Sequence, residues 1–116
     1  MRDIVQSLAG ALPGATLDHN FGPDIDSWKV GGKLFAIARA DGVSVKCPDR
    51  ETAEMLGEIG QAEPAPYLAK AGWVHVTAKA LEGTRVTEAD LAHRLHVSYD
   101  RIVATLPKRL RPTPEA

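Results

Sequence analysis

The 116-residue chain has a single cysteine, Cys47, so it can close no internal disulfide and build no thiolate cage for a metal. It has no apolar run near the ~20 residues of a membrane span, and no membrane association is expected. The opening M-R-D-I-V-Q lacks the apolar core of a signal peptide, which makes the cytoplasm the expected compartment. It also lacks a charge excess: the formal net charge is −1 and the pI about 6.4. Proteins that live on nucleic acid usually carry a basic surplus, so nucleic-acid binding here would have to come from a local patch. Zinc-protease, G-x-S-x-G, Walker and dinucleotide motifs are all missing. Enzyme activity therefore has no positive support in the sequence.

What remains is ordinary for one soluble domain, with 44% hydrophobic and 25% charged residues. A chain of this length buries roughly 65% of its unfolded surface, enough for one core. The domain is expected over residues 1–111, with a flexible tail over 112–116.

The organising stretch is Val30 to Cys47, V-G-G-K-L-F-A-I-A-R-A-D-G-V-S-V-K-C. Gly31-Gly32 and Asp41-Gly42 read as two-residue hairpin loops, whose positive φ angles match the twist of paired strands. The second loop sets Ala40 opposite Val43, Ala38 opposite Val45 and Ala36 opposite Cys47. The first sets Val30 opposite Lys33 and Trp28 opposite Phe35. Side chains alternate across a strand. One face then carries Leu34, Ala36, Ala38, Ala40, Val43, Val45 and Cys47, small enough for helices to pack closely. The other carries Trp28, Val30, Lys33, Phe35, Ile37, Arg39, Ser44 and Lys46, a mixed basic and aromatic surface.

Around this meander, Arg2 to Leu12 has the apolar spacing of an amphipathic helix, stopped by Pro13-Gly14. Ala15 to Phe21 reads as a strand. Pro48 and Asp49 begin a helix running to about Ile59, with Thr52, Met55, Leu56 and Ile59 inward and an acidic stripe of Glu51, Glu54 and Glu58 outward. Gln61 to Gly72 reads as irregular, since Pro64 and Pro66 block regular hydrogen bonding, with one short turn over Tyr67 to Ala71. Trp73 to Ala78 alternates as a last strand, and Leu81 to Arg85 reads as a turn. Thr87 caps a helix, and Ser98 reads as a fresh N-cap before the stripe Tyr99, Ile102, Val103 and Leu106.

Three constellations bear on chemistry. Asp18, Asp24 and Asp26 fit no calcium loop, and turn chemistry accounts for them. His93 and His96 sit three apart on one predicted helix, but a metal needs a further ligand and His75 is the only candidate. Cys47 precedes a helix, where a thiol pKa can fall, yet the hairpin register puts it on the apolar face. No metal and no cofactor is expected. The basic residues remain: Lys33, Arg39 and Lys46 on the hairpins, and Lys108, Arg109 and Arg111 near the C-terminus, with Trp28, Phe35 and Trp73 as rings for stacking or for a partner.

The segments F-G-P-D-I-D-S-W-K-V-G-G-K-L-F-A, V-K-C-P, A-G-W-V-H-V and S-Y-D-R-I-V-A-T-L-P-K-R resemble the MmcQ/YjbR family of small bacterial proteins, over about Leu12 to Arg109. The resemblance implies an α+β domain, an antiparallel sheet of about five strands packed against N-terminal, middle and C-terminal helices. It also implies a "double wing" DNA-binding module; no catalytic residues are expected, since no catalytic grouping can be assembled from the sequence. Two functional expectations follow. One is non-enzymatic, salt-sensitive contact with DNA phosphates through Lys33, Arg39, Lys46, Lys108, Arg109 and Arg111. The other is a protein-interaction or small-ligand module, using the Trp28 and Phe35 face or the cleft beside Gln61 to Gly72. The sequence sets no oligomeric state.

Overall fold

Gly31 and Gly32 take φ of +57° and +80°, the left-handed pair a tight hairpin turn demands. They join β2 (Asp26–Val30) to β3 (Lys33–Arg39) with Val30 opposite Lys33, as the sequence predicts. Gly31 lacks a side chain for a second reason: an added Cβ would sit 2.6 Å from Leu106 Cδ1. This computed structural model describes residues 1–113, so the last three residues of the expected tail lie outside the described residues.

The register then shifts. Lys29 faces Leu34, but Trp28 faces Ala36 rather than Phe35. Phe35 is thus an extra residue on β3, a β-bulge. The bulge brings Phe35 to the same side as Ala36, and both are fully buried. Trp28 is buried too, its ring reaching the end of α1 (Arg2–Ala9) at Gly10. The expected outer face bearing Trp28 and Phe35 does not exist, because the bulge and the helix above it take both rings into the core.

The next hairpin, to β4 (Gly42–Lys46), turns at Ala40-Asp41, one residue earlier than expected, with Ala38 opposite Val43 and Ala36 opposite Val45. The pairing has moved by two residues, and because side chains repeat every two, the predicted alanine–valine face survives. Gly42 belongs to the strand because β6 (Trp73–Thr77) passes close beside it; an added Cβ would lie 2.4 Å from the Val76 carbonyl oxygen. β1 (Thr16–Asp18) and β5 (Glu63–Pro64) form the edges of a six-stranded antiparallel sheet ordered β1-β2-β3-β4-β6-β5. β5 is the strand missed in the irregular stretch. Its Pro64 is tolerated because an edge strand leaves some N–H positions unpaired.

Among the described residues, four α-helices complete the α+β domain: α1, α2 (Arg50–Glu58), α3 (Ala78–Glu82) and α4 (Glu88–Ala104). α1 ends short of the expected Leu12, β1 is only the first part of the expected strand, and α3 forms where the sequence suggests a strand end and a turn. Val5 and Ala9 of α1 and Leu91, Leu95, Tyr99 and Ile102 of α4 share one core with Trp28, Val30, Phe35, Ala36, Ala38, Val43, Val45, Val74 and Val76. Among the described residues no helix is long and apolar enough to cross a membrane.

Ser98 is not an N-cap. It lies inside the unbroken 17-residue α4, fully buried. Its hydroxyl donates to the Phe35 carbonyl oxygen at 2.6 Å and accepts from the Lys46 N–H at 2.9 Å. The bulge displaces Phe35 from the ladder, and Ser98 closes the gap. Tyr99 beside it packs edge-on to Phe35 at 5.5 Å and donates from its hydroxyl to the Pro13 carbonyl.

α2 differs in its faces. Asp49, not Pro48, adjoins its first turn, accepting from the Thr52 N–H at 2.7 Å. Of the four residues expected inward only Leu56 is buried, while Met55 and Ile59 are 46% and 55% exposed. α2 packs beside the two-residue edge strand β5, so it has little sheet to cover.

Candidate functional site

A cleft of about 600 Å³ opens where β4 runs into α2. Cys47, Pro48 and Asp49 form the junction, Ala53, Glu54 and Gly57 give the α2 wall, and Pro64 with Ala69 to Val74 give the wall opposite. Four cations border it: Lys46 from β4, Arg50 from the first turn of α2, Lys70 from the 3-10 turn Ala69–Ala71, and Arg101 from α4. None of them has a carboxylate within 4 Å among the described residues. Asp49 is engaged as the α2 cap; its hydrogen bonds with Thr52, with a smaller contribution from the charge of Arg101, hold its carboxyl below the usual carboxylate range.

The residues expected to contact DNA do not converge. Lys46 lies in the cleft, half-buried. Arg39 is exposed on the same sheet face, since positions 42, 44 and 46 of β4 align with 39 and 37 of β3. Lys33 is at the other end of β3, about 20 Å from Arg39 at the strand rise. It turns to the helix side and donates to Thr105 Oγ1 at 3.3 Å. Lys108 and Arg109 are exposed on the 3-10 turn Lys108–Leu110. Arg111 donates to the carbonyls of Leu106 and Ala104 at 3.0 and 3.3 Å, satisfying the end of α4 as a cation suits a helix C-terminus. Of the three rings, Trp28 and Phe35 are in the core, and Trp73 lines the cleft opposite Lys46, 7% exposed.

Cys47 borders the cleft but is 2% exposed. Burial pushes its thiol up, with Arg94 nearby opposing more weakly. It is therefore a neutral thiol rather than an activated nucleophile. His93 is exposed and His96 pairs with Asp100 at 3.4 Å. His75 lies on β6, away from both. Of the three aspartates, Asp18 pairs with Lys29 at 2.9 Å, and Asp26 is buried between Arg2 and His19. Arg2 grips Asp26 through Nη2 at 2.7 Å and Nε at 3.1 Å, His19 adds a contact at 2.9 Å, and the carboxyl is held below its ordinary value chiefly by the Arg2 hydrogen bonds.

Two groupings escaped the sequence. Ser44 Oγ lies 2.9 Å from His75 Nδ1, and His75 Nε2 lies 3.6 Å from Asp41 Oδ1. Serine, histidine and aspartate thus stand in a row, but Ser44 and His75 are buried and neither borders the cleft. They tie β4 to β6 at the hairpin end. The second grouping is the cleft's own cations. Arg50 follows Lys46 closely in the chain, but Arg101 is brought in only by the packing of α4.

A family model described as YjbR matches residues 10–101. The chain is 25% identical over 113 residues to the uncharacterized protein YbdF of Escherichia coli O157:H7, covering 94% of this chain and 89% of that one. Its fold is similar to the crystal structure of the Deinococcus radiodurans protein DR2400, of the DUF419 domain family, with a TM-score of 0.77, 26% identity, and coverage of 96% of this chain and 85% of that one.

Proposed function

This chain belongs to the YjbR family, and from that premise we propose that it is a non-enzymatic binding module for phosphate-bearing ligands, DNA among them, anchored at the cleft beside α2. The observation that carries this reading is the convergence of Lys46, Arg50, Lys70 and Arg101 on one concavity without carboxylate partners among the described residues, in a chain of net charge −1. Unpaired cations held around a concavity recruit an anion, and contact with phosphate releases counterions from a nucleic acid. Such contacts fix position without reading bases, so sequence preference is slight. Arg39 would extend the contact along the sheet face it shares with Lys46. Lys33, Lys108, Arg109 and Arg111 stand apart and would matter less.

A second reading, a small-ligand module, is favoured by the cleft's volume, which falls in the range of small-molecule sites, and by the apolar wall of Pro64, Ala69, Ala71 and Trp73. Both readings use one site. Titration of labelled single- and double-stranded DNA at several salt concentrations tests the first, with Arg101→Glu and Lys46→Glu alongside. Binding that weakens steeply with salt and with each charge reversal supports it. No binding at low salt, or affinity indifferent to both reversals, refutes it.

A further inference from the structure

We infer that the cleft is built for a nucleotide 5′-phosphate monoester, free or at the end of a strand, with the Tyr67 ring stacking on its base. The inference rests on the phosphate reading above and adds the chemical form of the ligand.

Charge is the first ground. Four cations, Lys46, Arg50, Lys70 and Arg101, face two carboxylates, Asp49 and Glu54, a local balance of +2. A phosphate monoester carries about −1.5 to −2 at neutral pH and presents three terminal oxygens. A phosphodiester inside a strand carries only one charge and leaves the site half neutralised. Two of the cations are guanidinium groups, whose forked donors suit phosphate oxygens. The first turn of α2 is on the same wall, but its N-terminus is already met by the Asp49 carboxylate, so the attraction comes from the four cations rather than from the helix end.

The second ground is the far wall. Pro64, Ala69, Ala71 and Trp73, opposite the α2 wall, offer small or flat apolar surface around the single charge of Lys70, suited to the sugar and ring of a nucleotide rather than to a bare anion.

Tyr67 is the third ground, and it is independent of the charges. It is fully exposed and held at φ +64°, one of two positive-φ residues other than glycine among those described. Side-chain-bearing residues are uncommon in that region and are over-represented at ligand clamps. Tyr67 does not line the cleft in the free protein; it lies on the loop that carries one wall, two residues before Ala69. A ring without packing in the free protein is free to stack on a base, an interaction tolerant of base identity.

The test compares a short single-stranded oligonucleotide bearing a 5′-phosphate with the same strand ending in a 5′-hydroxyl, by fluorescence anisotropy. Adenosine monophosphate, adenosine and inorganic phosphate serve as competitors. The phosphorylated strand is expected to bind at least tenfold more tightly, and the monophosphate to compete better than adenosine or inorganic phosphate. Arg50→Ala with Arg101→Ala should abolish the preference for the phosphorylated end. Tyr67→Gly, which relieves the backbone, should weaken the strand and the monophosphate severalfold and leave inorganic phosphate unchanged. Preference for the phosphorylated strand without competition by the monophosphate assigns the site to strand ends; competition assigns it to free nucleotides as well. Equal affinity for both strand ends overturns this inference while leaving the phosphate reading intact. Absence of binding by every phosphorylated probe overturns both. Binding unchanged by Tyr67→Gly overturns the stacking role.

Discussion

Replacing Ser98 by alanine removes one oxygen and strands two backbone groups. The Phe35 carbonyl, fully buried, loses its 2.6 Å donor, and the Lys46 N–H, partly buried, loses its 2.9 Å acceptor. A buried polar group left without a partner costs about 1–3 kcal/mol. Water can reach the Lys46 side more easily, so the pair should sum to about 2–4 kcal/mol rather than the upper limit of both. For a domain of this size a kilocalorie lowers Tm by roughly 3–5 °C, which puts the expected shift at about 6–20 °C. Urea unfolding should show a lower midpoint with an unchanged slope, since the exposed area of the unfolded chain is the same. Amide exchange adds a local readout: the Lys46 N–H should lose protection beyond the global destabilisation. Ser7→Ala, on the exposed face of α1, is the control and should change stability by less than about 0.5 kcal/mol. A loss that small for Ser98→Ala would mean that the bulge is held by packing alone, and the account of Ser98 as the bridge between α4 and two strands would fail.

Further expectations concern the rest of the frame. Asp26 is ionised and gripped by Arg2 and His19, so its folded pKa lies below its unfolded value near 3.9; the stability it supplies is present above about pH 4 and drains away as pH falls through the folded value. Asp26→Asn should cost about 2–3 kcal/mol at pH 7, less than a fully enclosed pair because Arg2 is a third exposed, and should flatten the acid limb of a stability-versus-pH curve; an unaltered limb would contradict it. Gly42→Ala drives a methyl against the Val76 carbonyl at 2.4 Å, so β4 and β6 must separate, and thermal unfolding should show a loss of more than about 3 kcal/mol or failure to fold. Cys47, buried and with its thiol raised, should react with a disulfide reagent in native buffer far more slowly than in urea; comparable rates would show an open, activated thiol.

The hairpins were legible because their determinants are local. Gly31-Gly32 fixes its own turn, and the alternation of alanine and valine survived a two-residue slip, since such a slip leaves every side chain on its face. The Thr87 cap, completed by Asp90 at the third helical position, was likewise written in neighbouring residues. The bulge at Phe35 was not, because it depends on Ser98 standing 63 residues away to donate to its freed carbonyl. Met55 and Ile59 carry the inward period of a covered helix, but only the shortness of β5 decides how much of α2 is covered. The same division holds at the candidate site. Local sequence determined that basic residues and a family pattern are present. Which cations share a cleft was settled by tertiary packing, which joined Lys46 and Arg50 to Lys70 and Arg101 and sent Lys33 and Arg111 to the end of α4. Charge carries no periodicity that betrays its partners, and only the folded chain brings such distant residues within reach of one ligand.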